Sequence, residues 1–174
     1  MRSLLNGPLV RLIPVGMVFL ALQRTFFSEH PLHDVVLQVV LALATAAGAG
    51  GGPERGALAG FILGLMYDFG VGTPLGLSAL AYTVAGLVAG YVKVITPHTQ
   101  WWFAMLFVAV GAAAGESAVA ATKLVVGDDG WVNTRLLTIL PIVAAFAALL
   151  SPLLVPLGRW CMNVKQPKWK AIPE

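Results

Sequence analysis

GPERGALAGFILGLMYDFGVGTPLG, residues 52–76, decides how this chain is read. Gly52, Gly56, Gly60 and Gly64 recur at every fourth position, and Asp68 takes the next step. Residues four apart share one face of a helix. A helix over Pro53–Phe69 therefore carries a stripe without side chains that ends in a carboxyl group, while Leu58, Phe61, Ile62, Leu65 and Tyr67 load the rest with apolar bulk. In water each interior glycine costs about 1 kcal/mol relative to alanine. In lipid the pattern makes sense, because helices there associate through close backbone approach over small residues.

The composition around this stretch points to a membrane. The chain has 174 residues, 58% hydrophobic and 11% charged, with a mean hydropathy of +0.83. Soluble domains carry roughly 25% charged residues, and so small a globule cannot bury this apolar surplus. The single Cys161 excludes an internal disulfide. The net charge of +3 comes from basic residues that flank apolar runs, which is not the footprint of a nucleic-acid binder. Residues Met1–Gln23 resemble a leader, but Arg11 within the run and the lack of an Ala-x-Ala site predict a retained membrane segment.

A crossing helix needs about 20 apolar residues. Six segments meet that need: Pro8–Phe26, Leu32–Gly48, Pro53–Phe69, Pro74–Ile95, Trp101–Val126 and Asn133–Trp160. The expectation is an all-α membrane protein, one six-helix transmembrane domain over 1–160 with a short basic tail over 161–174. Pro31, Pro53 and Pro74 sit where helices begin. Gly48–Gly52 and Gly127–Gly130 read as connections. The five tryptophans, 101, 102, 131, 160 and 169, fall at segment ends, where the membrane interface favours them. Pro141, Pro152 and Pro156 predict a sixth segment that kinks or lays its last turns along the interface.

Basic residues set the orientation. One side collects Arg2, Arg11, Arg55, Lys93, Arg159, Lys165, Lys168 and Lys170, and the other has Arg24, Lys123 and Arg135. Eight against three places both termini in the cytoplasm. The tail is expected on the anionic inner leaflet or against a cytoplasmic partner.

Within this frame, Gly86 and Gly90 in the fourth segment and Gly111 and Gly115 in the fifth repeat the small-residue spacing. Together with Gly52, Gly56, Gly60 and Gly64 they are candidate packing positions, either inside the bundle or against a partner helix. They point to a compact core of segments three, four and five. Asp68 lies about 22 Å along its helix, near a C-terminus where a negative charge is disfavoured. It needs compensation, from backbone N–H groups of the Gly70–Thr73 turn or from Arg24, Lys123 or Arg135; it either fixes a turn or does a job in the membrane. Glu116 lies at similar depth, with Lys123 on its face. The two acids and these bases form either a polar pocket or a structural cluster of charges.

Other chemistry finds little support. His30, His33 and Asp34 lack a further ligand for a metal. The GDDG run at 127–130 is not a calcium loop, and the glycine run at 48–52 lacks the Lys-Ser/Thr of a phosphate loop. Neither Gly-x-Ser-x-Gly nor His-Glu-x-x-His occurs. No enzyme, cofactor or metal site is expected.

The residues Arg55-Gly56, Gly60-Phe61, Gly64-Leu65, Asp68, Pro74-Leu75-Gly76-Leu77, Ala79-Leu80, Tyr82, Gly86 and Gly90-Tyr91 give the chain a resemblance to MreD, the rod shape-determining membrane protein family. The resemblance covers segments three and four well and the rest through outline and size. It implies a non-enzymatic inner-membrane subunit of the bacterial cell-elongation machinery that pairs with an MreC-like single-pass protein. The same machinery contains MreB filaments, the RodA glycosyltransferase and a penicillin-binding transpeptidase. It also implies a fold similar to the six-helix substrate-binding subunits of energy-coupling-factor transporters. The rival expectation is a transport subunit with a small-molecule pocket near Asp68 and Glu116, which requires a cavity of roughly 300 Å³ or more.

Overall fold

The computed structural model describes residues 8–27, 38–96, 100–126 and 135–162, and every regular element among them is helical. Helix α1 (Pro8–Leu22) runs into a π-helical turn, Gln23–Phe27. Helices α2 (Val39–Gly51) and α3 (Pro53–Val71) follow, then α4 (Leu77–Gly90), continued past Tyr91 by a short turn, Val92–Ile95. Helices α5 (Trp101–Val126) and α6 (Arg135–Cys161) complete the bundle.

The boundaries have local causes. Gly52, at φ 93°, is the whole joint between α2 and α3, and Pro53 opens α3 at a position that needs no N–H. The glycine run before it is not a connection as the sequence suggested: α2 continues through Gly48, Gly50 and Gly51. Gly72, left-handed at φ 77°, ends α3 by donating its N–H to the Asp68 carbonyl at 2.9 Å. The prolines at 141, 152 and 156 lie inside a continuous α6. The last turns of α6 do not lie apart from the bundle, since Val155, Gly158 and Cys161 are buried, Gly158 against α2.

Among the described residues, three helical stretches are long and apolar enough to cross a membrane: Leu77–Ile95, Trp101–Thr122 and Ile139–Cys161. Helix α3 has the length but carries Glu54, Arg55 and Asp68 in 19 residues. Helix α2, as described, has 13 residues. The outer surface is apolar as well: Leu149 and Leu153 on α6 are 75% and 69% exposed. Long apolar helices bearing exposed leucine mark a membrane protein.

Helix α2 is the centre. Every residue from Val39 to Gly50 is buried, and α2 packs against α1, α3, α4, α5 and α6. Around it, α3 and α4 form the most extensive pair, and α4 lies between α3 and α5. The core expected from segments three, four and five is thus a layer laid on α2. Leu41, Leu43, Leu63, Tyr82, Val108, Val143 and Leu154 fill the larger spaces.

Candidate functional site

The glycine stripe of α3 faces inward onto α4. A Cβ on Gly60 would overlap the Tyr82 carbonyl oxygen, and one on Gly64 would collide with the backbone of Ala79. Gly56 meets two helices at once: its Cβ would overlap the Gly86 carbonyl and lie 2.6 Å from Gly48 Cα. Gly48 and Gly86 are equally closed to side chains, so glycines of α2, α3 and α4 meet at one junction. Further along, a Cβ on Gly90 would lie 2.5 Å from Pro53 Cα. On the other flank of α4, Gly111 and Gly115 of α5 approach Ala85 within 2.7 and 2.8 Å on the same test.

Six of the eight candidate glycines therefore hold helices at backbone contact, and Gly115 packs against the side chains of Ala85 and Leu41. Gly52 does not: nothing lies within 4 Å of where its Cβ would be, and its role is the positive φ of the joint. The stripe is also not open to a partner helix, because α4 already fills it.

Asp68 ends the stripe and is 1% exposed. Its Oδ1 accepts the Thr73 hydroxyl at 2.8 Å and the Ser78 N–H at 3.1 Å. Its Oδ2 accepts the Gly76 N–H at 2.9 Å and the Ala79 N–H at 3.4 Å. The residue before α4 is Gly76, which has no side chain to cap the helix. The carboxyl group of the preceding helix supplies that cap instead. Its position also places negative charge at the positive end of the α4 dipole, which offsets the unfavourable end of α3 where it originates. The backbone donors foreseen in the Gly70–Thr73 turn are replaced by those of Gly76, Ser78 and Ala79, and Thr73 contributes its hydroxyl instead. No described cation pairs with Asp68: Arg24 donates instead to the Gly70 carbonyl.

A second polar layer lies beside this cap. The rings of Tyr67 and Tyr82 pack tilted at 45°, 5.6 Å between centroids, and the Tyr82 hydroxyl donates to Gln38 Oε1 at 2.9 Å. Glu116 is 4% exposed, one residue beyond Gly115, whose added Cβ would meet Ala85 and Leu41. The side chain of Lys123 lies outside the described residues. Sequence reasoning missed Gln23, which is buried and accepts the Val40 N–H at 3.0 Å at the start of α2, and Gln38. Glutamine beside a long apolar run was the available signal, since a buried amide needs a partner.

The described residues contain no cluster of three potential metal ligands. His30, His33 and Asp34, the 127–130 run, Trp131, Trp169 and the tail beyond Met162 lie outside the described residues. Comparison with protein families, with curated proteins and with solved structures returns no match for this chain. Function has to be argued from the site, whose arrangement fixes helices to one another.

Proposed function

We infer that the chain is a non-enzymatic scaffold subunit of the bacterial cell-elongation machinery, an MreD-like protein of the inner membrane with all six helices crossing and both termini in the cytoplasm. One observation carries the reading. Among the residues that give the resemblance, Gly56, Gly60, Gly64, Asp68, Gly76, Gly86 and Gly90 press α3 onto α4 or cap their junction. A motif made of contact points and a cap suits a rigid platform better than a catalyst.

Since the glycine seam is filled from within, the partner surface belongs to the outer faces. Leu149 and Leu153 of α6, and Leu106 and Val110 of α5, are exposed and apolar, and the transmembrane helix of an MreC-like protein fits such a face. The wider partners are then MreB, RodA and a penicillin-binding transpeptidase, reached through that protein. The six-helix outline shared with energy-coupling-factor substrate subunits belongs to the same reading.

The test is a cysteine walk along α5 and α6 in a Cys161→Ser background, with crosslinking to the MreC-like protein of the same cell. A single stripe of crosslinked positions supports the scaffold. A walk with no stripe, with intact protein in the membrane, ends it.

A further inference from the structure

Four cations from four helices gather at one end of the bundle. Arg11 of α1 lies 5.1 Å from the Trp160 ring centroid and donates to the Trp160 carbonyl at 3.4 Å. Arg55 of α3 donates to the Met162 carbonyl at 3.5 Å. Arg159 of α6 runs its stem past Gly50, where an added Cβ would meet its Cγ at 2.8 Å. Lys93 lies in the turn that continues α4, three residues past Gly90, where an added Cβ would meet Pro53 at the start of α3.

These contacts leave most of the positive charge unanswered. A guanidinium has five N–H donors, and Arg11 and Arg55 each spend one on a long bond to a helix-end carbonyl. The buried Arg159 Nε has no acceptor among the described residues. Glu54 is the one described acid at this end, and it is exposed; Asp68 and Glu116 belong to the opposite end. Holding four like charges together without matching acids is unfavourable unless something anionic joins them.

The surroundings say what that is. Trp160 is 55% exposed, Trp101 71% and Tyr91 47%, aromatic residues near helix ends of the kind that mark the membrane–water boundary. In the same turn as Lys93, Val94 and Ile95 are exposed and apolar. A ligand that suits both features has an anionic head at the boundary and hydrocarbon below it.

We propose that Arg11, Arg55, Lys93 and Arg159 form a binding site for the phosphate headgroup of an anionic phospholipid in the adjoining leaflet. The site depends on the helices crossing a membrane and not on the scaffold reading. Arg11 and Arg55 tie the ends of α1 and α3 to the last turn of α6, so the bound headgroup closes the end of the bundle by bridging them.

Full-length protein purified in neutral detergent, examined by native mass spectrometry and by thermal unfolding with added lipid, tests this. Phosphatidylglycerol is expected to remain bound and to raise the unfolding midpoint, and phosphatidylcholine to do neither. Lys93→Gln with Arg55→Gln should weaken phosphatidylglycerol binding at least fivefold, whereas Arg24→Gln at the opposite end should leave it unchanged. Arg159→Gln is a further arm if it folds; Lys93 and Arg55 carry the test if it does not. Equal binding of the two lipids, equal loss with Arg24→Gln, or unchanged binding in the Lys93/Arg55 variant overturns the proposal. So does full displacement by inorganic phosphate at millimolar concentration, which would make this a site for free anions.

Discussion

Gly56 and Gly86 face each other so closely that a Cβ on either would fall on the carbonyl oxygen of the other. The contact is reciprocal and backbone to backbone, so no side chain can move aside to make room. Between helices in lipid, where apolar burial gives no drive to associate, contacts of this kind carry the attraction.

The adjoining contact at Gly60 gives a direct prediction. Gly60→Ala places a methyl group on the Tyr82 carbonyl and should destabilise the bundle by about 1–3 kcal/mol, the usual cost of overpacking. Leu58→Ala, on the exposed face of the same helix, should stay within about 0.5 kcal/mol of the parent. Heating aliquots in detergent and measuring the monodisperse fraction by size exclusion compares the two; equal midpoints would mean the seam is loose.

Asp68→Asn should also be costly. Both carboxyl oxygens accept two hydrogen bonds each, and an amide nitrogen in place of one oxygen turns a donor toward donors. The expected loss is about 1–3 kcal/mol, the penalty for leaving buried groups without partners. Thr73→Val removes a single bond and should cost about 1 kcal/mol. The same unfolding measurement checks both, and an Asp68→Asn protein as stable as the parent would return Asp68 to the list of functional acids.

Tyr82→Phe deletes the hydroxyl bonded to Gln38 and leaves the ring packing in place. Stability should fall by about 1 kcal/mol. Combined with Gln38→Leu, the loss should be smaller than the sum of the two single losses, because the pair acts as a unit. Additive losses would place the hydroxyl's real partner elsewhere.

Cys161 is fully buried at the end of α6. A maleimide should label it slowly in the folded protein and quickly in denaturant. Fast labelling under native conditions would show that the last turn of α6 opens.

Much of the α3–α4 layer was legible from glycine spacing, because a four-residue repeat names a helix face without further information. Three things were not legible. The central place of α2 was hidden because its alanines and glycines are small on all sides; a helix apolar all round is the signal for full burial. The role of Gly52 was misread because spacing alone cannot separate a packing glycine from one that supplies a positive φ. The donors to Asp68 came from the next helix and not the adjacent turn, since the chain reverses between Gly72 and Gly76 and returns α4 to the carboxyl group.

That reversal has a consequence for how the protein is made. While α3 emerges from the ribosome alone, Asp68 faces the bilayer without its acceptors' partners; only when residues 76–79 have followed is the acid hidden. The two segments should therefore pass from the translocation channel into lipid as a pair, so that α3 still crosslinks to the channel in a chain halted at Thr73 and no longer does in one halted well after Gly90.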